Sequence, residues 1–296
     1  MDPHFHSATL AARRSLDGLS VGDAFGELFF YRRDNWQYGT FESLPAGRWR
    51  WTDDTHMALS IVETLEAHGR IDQDALARRF ANRFAAEPWR GYARGAASLL
   101  DAVRSGGDWR SLSRALFGNG SYGNGGAMRV APVGAFFSQD LDRVVRESAA
   151  SAEVTHAHPE GQAGAIAVGV ATALALTRPD LRGVEFLRAT LARIPEGETR
   201  RRTLLACDIP ADDCRRAFVE LGTGAEVSAQ DTVPFCLWAA AYHLGDFAAA
   251  MWHTVRVPGD IDTLCAIVGG IVGVSVETIP AEWLSRREPL PMARTP

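Results

Sequence analysis

Four aspartates in two short clusters, Asp53-Asp54 in WTDDTHMALS and Asp260-Ile261-Asp262 in VPGDIDTLC, stand roughly two hundred residues apart, and each cluster opens an apolar helical stretch. With Thr52 and Thr263 beside them they form an all-oxygen ligand set. Hard divalent cations such as Mg²⁺ or Mn²⁺ favour such donors, whereas zinc prefers nitrogen and sulfur. A lone Asp at the start of a helix is ordinarily a cap, held by backbone N–H groups and the macrodipole. Two adjacent aspartates flanked by Thr52 and Thr55 exceed what capping requires. Asp260 and Asp262 repeat the arrangement ahead of a segment apolar enough to be buried, where uncompensated carboxylates would repel one another and lose their solvation. A dication at the confluence removes that penalty.

The second informative stretch is GNGSYGNGGAMRVAP, Gly118 to Pro132, with five glycines in its first nine residues. Such density tolerates positive φ and lets backbone N–H groups wrap an anion. Ser121, Tyr122 and Asn124 interleave a hydroxyl, a stacking ring and an amide, a combination suited to a nucleotide diphosphate. The stretch is not the GxSxG nucleophile elbow, because Asn119 occupies the first glycine position. THAHPEG, Thr155 to Gly161, places His156 and His158 two apart before an apolar helix. That spacing suits a capped loop better than a metal pair, and His156 is read as a substrate hydrogen-bond donor or acceptor. Glu27, in VGDAFGELFF with Asp23 one turn earlier, lies on a helical stretch where most carboxylates are simply solvated.

Composition narrows the chemistry. All 31 basic residues among the 296 are arginine. The absence of lysine excludes P-loop nucleotide hydrolases, protein kinases with their strand lysine, and Schiff-base or pyridoxal enzymes. A net charge of −5 and a pI near 5.9 provide no basic footprint for nucleic acid. Cys207, Cys214, Cys236 and Cys265 show no CxxC spacing, so reduced thiols and a cytoplasmic location are expected. The N-terminal residues lack the basic-then-apolar pattern of a signal peptide, and the longest uncharged stretches, Gly161 to Thr177 and Ile261 to Val276 apart from Asp262, are rich in Gly and Ala and short for a membrane span.

The elements that must position these groups are helical. Apolar residues recur at Met57, Ile61 and Leu65 and at Leu76, Phe80 and Phe84, and nothing alternates with period two for long. Further helices are predicted at Ser7 to Phe30, Trp109 to Leu116, Leu141 to Val154, Gln162 to Leu176, Val184 to Ala192, Asp212 to Leu221, Val233 to His243 and Asp246 to Val255. Gly161 to Thr177 and Thr263 to Val276 are apolar on every face and carry Gly164, Gly169, Gly269, Gly270 and Gly273, as central helices in close backbone contact would. An all-α bundle forming a single domain over 1–296 follows, with a core over about 7–285 and a frayed tail from 286. A monomer is expected.

With WTDDT, GNGSYGNGGAMRVAP, THAHP and GDIDT in this order, the chain resembles the ADP-ribosylglycohydrolase family over about Leu19 to Trp283. The resemblance implies an all-α fold around a binuclear Mg²⁺ (or Mn²⁺) site, and hydrolysis of the glycosidic bond joining ADP-ribose to a modified acceptor. It places metal ligands at Thr52, Asp53, Asp54, Asp260, Asp262 and Thr263. The diphosphate and ribose fall to Gly120, Ser121, Tyr122, Gly123 and Asn124, with His156 nearby. The Ser-Tyr-Gly-Asn form is similar to members that release ADP-ribose from serine or from its polymer. The partner implied is ADP-ribose or an ADP-ribosylated protein.

Two departures stand out. Ile261 replaces the middle threonine of the family's Gly-Asp-Thr-Asp-Thr, at a position not expected to bind metal. Phe30 occupies the place, seven residues after Asp23, where the family commonly carries a glutamate. Glu27, three residues earlier on the same helix, can reach a similar face and is the expected substitute. The expected catalytic carboxylates are Glu27 and the ligand aspartates Asp54 and Asp260. Two other readings stay open at this point: an ADP-ribose-binding module without turnover, and a different metal-dependent N-glycoside or phosphoester hydrolase. The acceptor depends on loops such as Tyr31 to Arg50.

Overall fold

The computed structural model describes residues 3–30 and 43–291, and all statements below concern those residues. They form fifteen α-helices and no strands, only two isolated bridges. In chain order the helices are α1 (Pro3–Phe30), α2 (Asp53–His68), α3 (Gln73–Ala86), α4 (Arg94–Arg104), α5 (Trp109–Ala115), α6 (Ala131–Phe136), α7 (Leu141–Glu153), α8 (Pro159–Thr177), α9 (Gly183–Leu191), α10 (Glu198–Ala206), α11 (Cys214–Leu221), α12 (Ala229–His243), α13 (Phe247–Thr254), α14 (Ile261–Val272) and α15 (Ala281–Arg286). Every helix predicted from periodicity is present within a few residues. Of the helices not predicted, α6 and α15 are six residues each and α10 carries few apolar positions, whereas α4 does present an amphipathic face through Leu99, Leu100 and Val103.

The central packing is set by glycine. On α1, Gly18, Gly22 and Gly26 fall at four-residue intervals and therefore on one face. A Cβ on Gly18 would stand 2.2 Å from the Gly269 carbonyl oxygen, one on Gly22 2.1 Å from that of Cys265, and one on Gly26 2.6 Å from that of Ile261. As the α1 numbers rise the α14 numbers fall, so the two helices run antiparallel with backbones touching. That register brings the second half of α1, with Asp23 and Glu27, to the N-terminus of α14, with Asp260 and Asp262. The expectation that α8 and α14 are central holds. Nearly all of α14 and most of α8 are buried, and α8, apolar and long enough to cross a membrane by composition, is mostly covered by neighbouring helices.

The expected frayed tail is corrected for residues 286–288. Trp49 N–H donates to the Arg286 carbonyl and Glu288 N–H to the Trp49 carbonyl, at 2.7 and 2.8 Å. Arg287 pairs with Asp17, and Glu288 with Arg90. Two prolines and absent periodicity hid these pairings, which are backbone and ionic rather than apolar. Residues 292–296 of the tail, like residues 31–42 of the acceptor loop, lie outside the described residues.

Candidate active site

Asp53 and Asp54 begin α2, with Thr52 as its N-cap. The segment before them is held from two sides. From below, the fully buried carboxylate of Asp23 on α1 accepts from Thr52 N–H (2.9 Å) and Thr55 N–H (3.1 Å) and from both threonine hydroxyls. Asp23 thus caps α2 from another helix, and its charge compensates the exposed N–H groups of that helix start. From the side, the Arg90 carbonyl accepts from Asp53 N–H at 2.7 Å. Arg90 itself is fixed by Glu288, Glu87, the Trp51 carbonyl and the Trp51 ring, 3.5 Å from its guanidinium carbon. The tail therefore helps set the first acidic cluster. Gly91, at φ +102°, lets the chain pass where a Cβ would lie 3.2 Å from Asp53 Oδ1.

The second cluster is held in the same manner. Asp260 precedes α14, its N–H donating to the Thr223 carbonyl at 3.1 Å. Gly259 (φ +128°) makes that approach: a Cβ there would meet the Thr223 oxygen at 2.1 Å. The Asp260 carboxylate accepts from Asn124 Nδ2 at 2.7 Å. The Asn124 Nδ2 donates to both Asp260 and Thr232, which ties the glycine loop to the acidic cluster while the residue still lines the cavity.

Both clusters and the loop line one cavity of about 1210 Å³. Its walls include Glu27, Thr52, Asp53, Asp54, Asp260, Asp262 and Thr263 at one end, and Ser121, Tyr122, Gly123, Asn124 and His156 along the loop. Of the residues expected to bind substrate, Gly120 alone does not line it. At φ +83° it crosses beneath THAHP, where a Cβ would lie 2.6 Å from His158 N, so its work is to pass the chain. Gly125 and Met128 line the cavity instead. Exposed apolar side chains of Trp89, Phe117, Tyr122 and Val227 border it as well. Phe117 (φ 54°) and Val227 (φ 51°) are the two non-glycine residues with positive φ among those described. Such backbone strain persists where surrounding structure enforces it, as at binding sites.

The carboxylates of both clusters are all held above their ordinary range. Burial, together with Asp23 and Asp260, pushes Asp53 up to about 8. Burial, then Asp23 and Asp262, raises Asp54 well above the carboxylate range. Burial, then Asp260 and Asp23, does the same to Asp262. Glu27 is lifted to about 7 by burial and by Asp23, with Arg50 opposing. Asp54 Oδ1 and Asp262 Oδ1 are buried without a hydrogen-bond partner. Buried acceptors are normally satisfied, so two orphans facing one cavity call for a cation or water. Among the described residues no three Asp, Glu, His or Cys side chains already stand at the spacing of a closed coordination sphere. The donor chemistry and the two orphan oxygens nevertheless fit a hard dication held by Thr52, Asp53, Asp54, Asp260, Asp262 and Thr263.

In comparison with known proteins, residues 7–294 match the ADP-ribosylglycohydrolase family. The chain belongs to that family. It is accordingly a hydrolase. It is 30% identical to the ADP-ribosylhydrolase ARH3 of Bos taurus, over 79% of this chain and 73% of the relative. It is also 25% identical to the ADP-ribosylarginine hydrolase Tri1 of Serratia proteamaculans, over 93% and 74%. A solved structure of an ADP-ribosylglycohydrolase-related protein complex superposes with a TM-score of 0.63 at 25% identity, covering 96% of this chain and 93% of that one. The all-α fold is thus shared along nearly the whole length.

Asp23 is the residue that sequence reading passed over. Its neighbour Gly22 carried the signal, since a Gly-Asp pair inside an apolar helix places a charge where one helix crosses another.

Proposed function

We propose that this hydrolase cleaves the glycosidic bond between the distal ribose of ADP-ribose and a modified acceptor, with divalent cations, Mg²⁺ or Mn²⁺, at the joined acidic clusters. The observation that carries the reading is the convergence of two acidic helix starts and a glycine-rich loop on one cavity, with Asn124 bonded to Asp260 across the junction. The loop supplies a backbone and hydroxyl surface for a diphosphate, and the exposed Tyr122 and Phe117 rings supply faces for a base.

When bound, the dications would supply Lewis acidity and a lowered water pKa at neutral pH. The chain's own residues do the rest. Thr52, Asp53, Asp54, Asp260, Asp262 and Thr263 hold positive charge at the ribose end. Glu27, on the cavity wall with a proton affinity near neutrality, accepts the proton of the attacking water as bond cleavage builds positive charge at the anomeric carbon. Beside a bound cation Glu27 would lose its proton more readily than its raised proton affinity otherwise allows, and so would stand ready as the carboxylate that accepts one. Asp54 and Asp260 act through charge and ligation. The position of Glu27 favours turnover over mere binding, although Phe30, also on the wall, fills the family's usual glutamate position.

Cleavage of serine-linked substrate is the acceptor reading, by the Ser-Tyr-Gly-Asn loop, and arginine-linked substrate is the alternative, by the similarity to an ADP-ribosylarginine hydrolase. The protein is expected to work as a cytoplasmic monomer. The test is incubation with Mg²⁺ and peptides bearing ADP-ribose on serine or on arginine, or with ADP-ribose polymer, with released ADP-ribose followed by chromatography. Release from the serine peptide supports the reading. Tight binding without release from any of the three, or no binding, overturns it.

A further inference from the structure

His156 packs against the underside of the glycine loop. A Cβ on Gly125 would lie 2.7 Å from its Cε1, and one on Gly123 3.1 Å from its Nε2, so the ring sits where only glycines leave room. Its Nδ1 is 2.7 Å from the Thr155 hydroxyl, while no described residue bonds Nε2. Behind Thr155 stands Arg129, fully buried in the turn that leads from the glycine loop into α6. Its guanidinium lies 4.5 Å over the Phe80 ring and donates from Nη2 to the Ser151 carbonyl (3.1 Å) and to Thr155 Oγ1 (2.8 Å). A guanidinium has donors only. Thr155 Oγ1 therefore accepts from Arg129. Its single proton has one acceptor within reach, His156 Nδ1. The opposite arrangement, with Nδ1–H donating to the same oxygen, would leave a buried hydroxyl proton with nothing to bond, which is the expensive outcome.

We infer that Arg129 and Thr155 are positioning residues that hold His156 as its Nε2–H tautomer, so that one N–H donor points from beneath Gly123 and Gly125 into the cavity. Burial beside Arg129 keeps the ring neutral, its pKa lowered to about 3, so a single tautomer of the neutral imidazole is presented at all working pH values. The acceptor for that N–H is an oxygen of the diphosphate, and this part rests on the function proposed above.

The test reads the tautomer directly, by long-range ¹H–¹⁵N correlation spectra of ¹⁵N-histidine-labelled protein, with His156 assigned from the His156→Gln spectrum. The expected wild-type pattern is a pyridine-like Nδ1 and a pyrrole-like Nε2. Thr155→Val removes the hydroxyl at nearly constant volume and should mix the tautomers and weaken ADP-ribose binding about two- to tenfold, the worth of one hydrogen bond. Thr155→Ser should restore both. Thr155→Ala serves the same comparison should the valine variant misfold. A protonated Nδ1 in the wild type, or a Thr155→Val protein with unchanged tautomer and affinity, overturns the inference. A wild-type protein that shows the expected tautomer but does not bind ADP-ribose refutes the ligand instead, leaving the positioning intact.

Discussion

At the scale of the residue, two carboxylates on α1 divide structural from chemical work. Asp23 is buried and accepts four hydrogen bonds from Thr52 and Thr55. An amide there keeps the shape but turns one acceptor oxygen into a donor, leaving buried N–H and O–H groups unpaired. Asp23→Asn should therefore cost on the order of 3 kcal/mol, read as a lower denaturation midpoint in urea, with weakened metal binding. Glu27, one turn on, is half-buried and faces the cavity. Glu27→Gln should not lower stability, since it removes a carboxylate whose ionisation the fold opposes, while lowering kcat by roughly 10²–10⁴, the usual worth of a general base. Wild-type activity should rise with pH along a limb at or below about 7, because the base must lose its proton and a dication lowers its pKa; in Glu27→Gln that limb should vanish. An unaltered pH–rate profile in the variant would remove Glu27 from the mechanism.

At the scale of the element, the site exists because α1 and α14 touch along glycines. Gly22→Ala would put a methyl 2.1 Å from a backbone oxygen that cannot swing aside. The helices must part, at a cost at or above the 1–3 kcal/mol typical of overpacking. Because Asp260 and Asp262 ride on the displaced helix, metal affinity should fall with stability; titration calorimetry with Mn²⁺ on the folded variant checks this. Much of this was legible in the sequence. The acidic clusters announced themselves as helix starts, and the segments apolar on all faces as central helices. The Gly18, Gly22 and Gly26 register was visible as spacing, but its meaning was not, because a glycine face says only that something approaches and not which helix. The roles of Asn124 and Gly120 were illegible for a related reason: each acts through a contact with a segment distant in sequence, Asp260 for one and His158 for the other.

At the scale of the whole molecule, the fold stores like charge. Asp53 and Glu27 shift from ordinary values of 3.8 and 4.5 to about 8 and about 7, and Asp54 and Asp262 also shift upward. A folded-state pKa above the unfolded one means that the native protein binds more protons between the two values, so stability falls as pH rises from about 4 to about 8. A bound dication replaces those protons. In EDTA the melting temperature should therefore drop between pH 5 and pH 8.5, and the gain on adding Mg²⁺ should be small at the lower pH and large at the higher one. Equal gains at both would show that the clusters are not the binding site. The family match over residues 7–294 and the shared fold make the protein a hydrolase, and its proposed dependence on a cation can be read directly. The most direct measurement compares ADP-ribose release from a serine-linked peptide by the wild type with Mg²⁺, by the wild type in EDTA, and by Asp262→Asn with Mg²⁺. Release is expected in the first case and essentially none in the other two; undiminished release in EDTA would overturn the role of the cation.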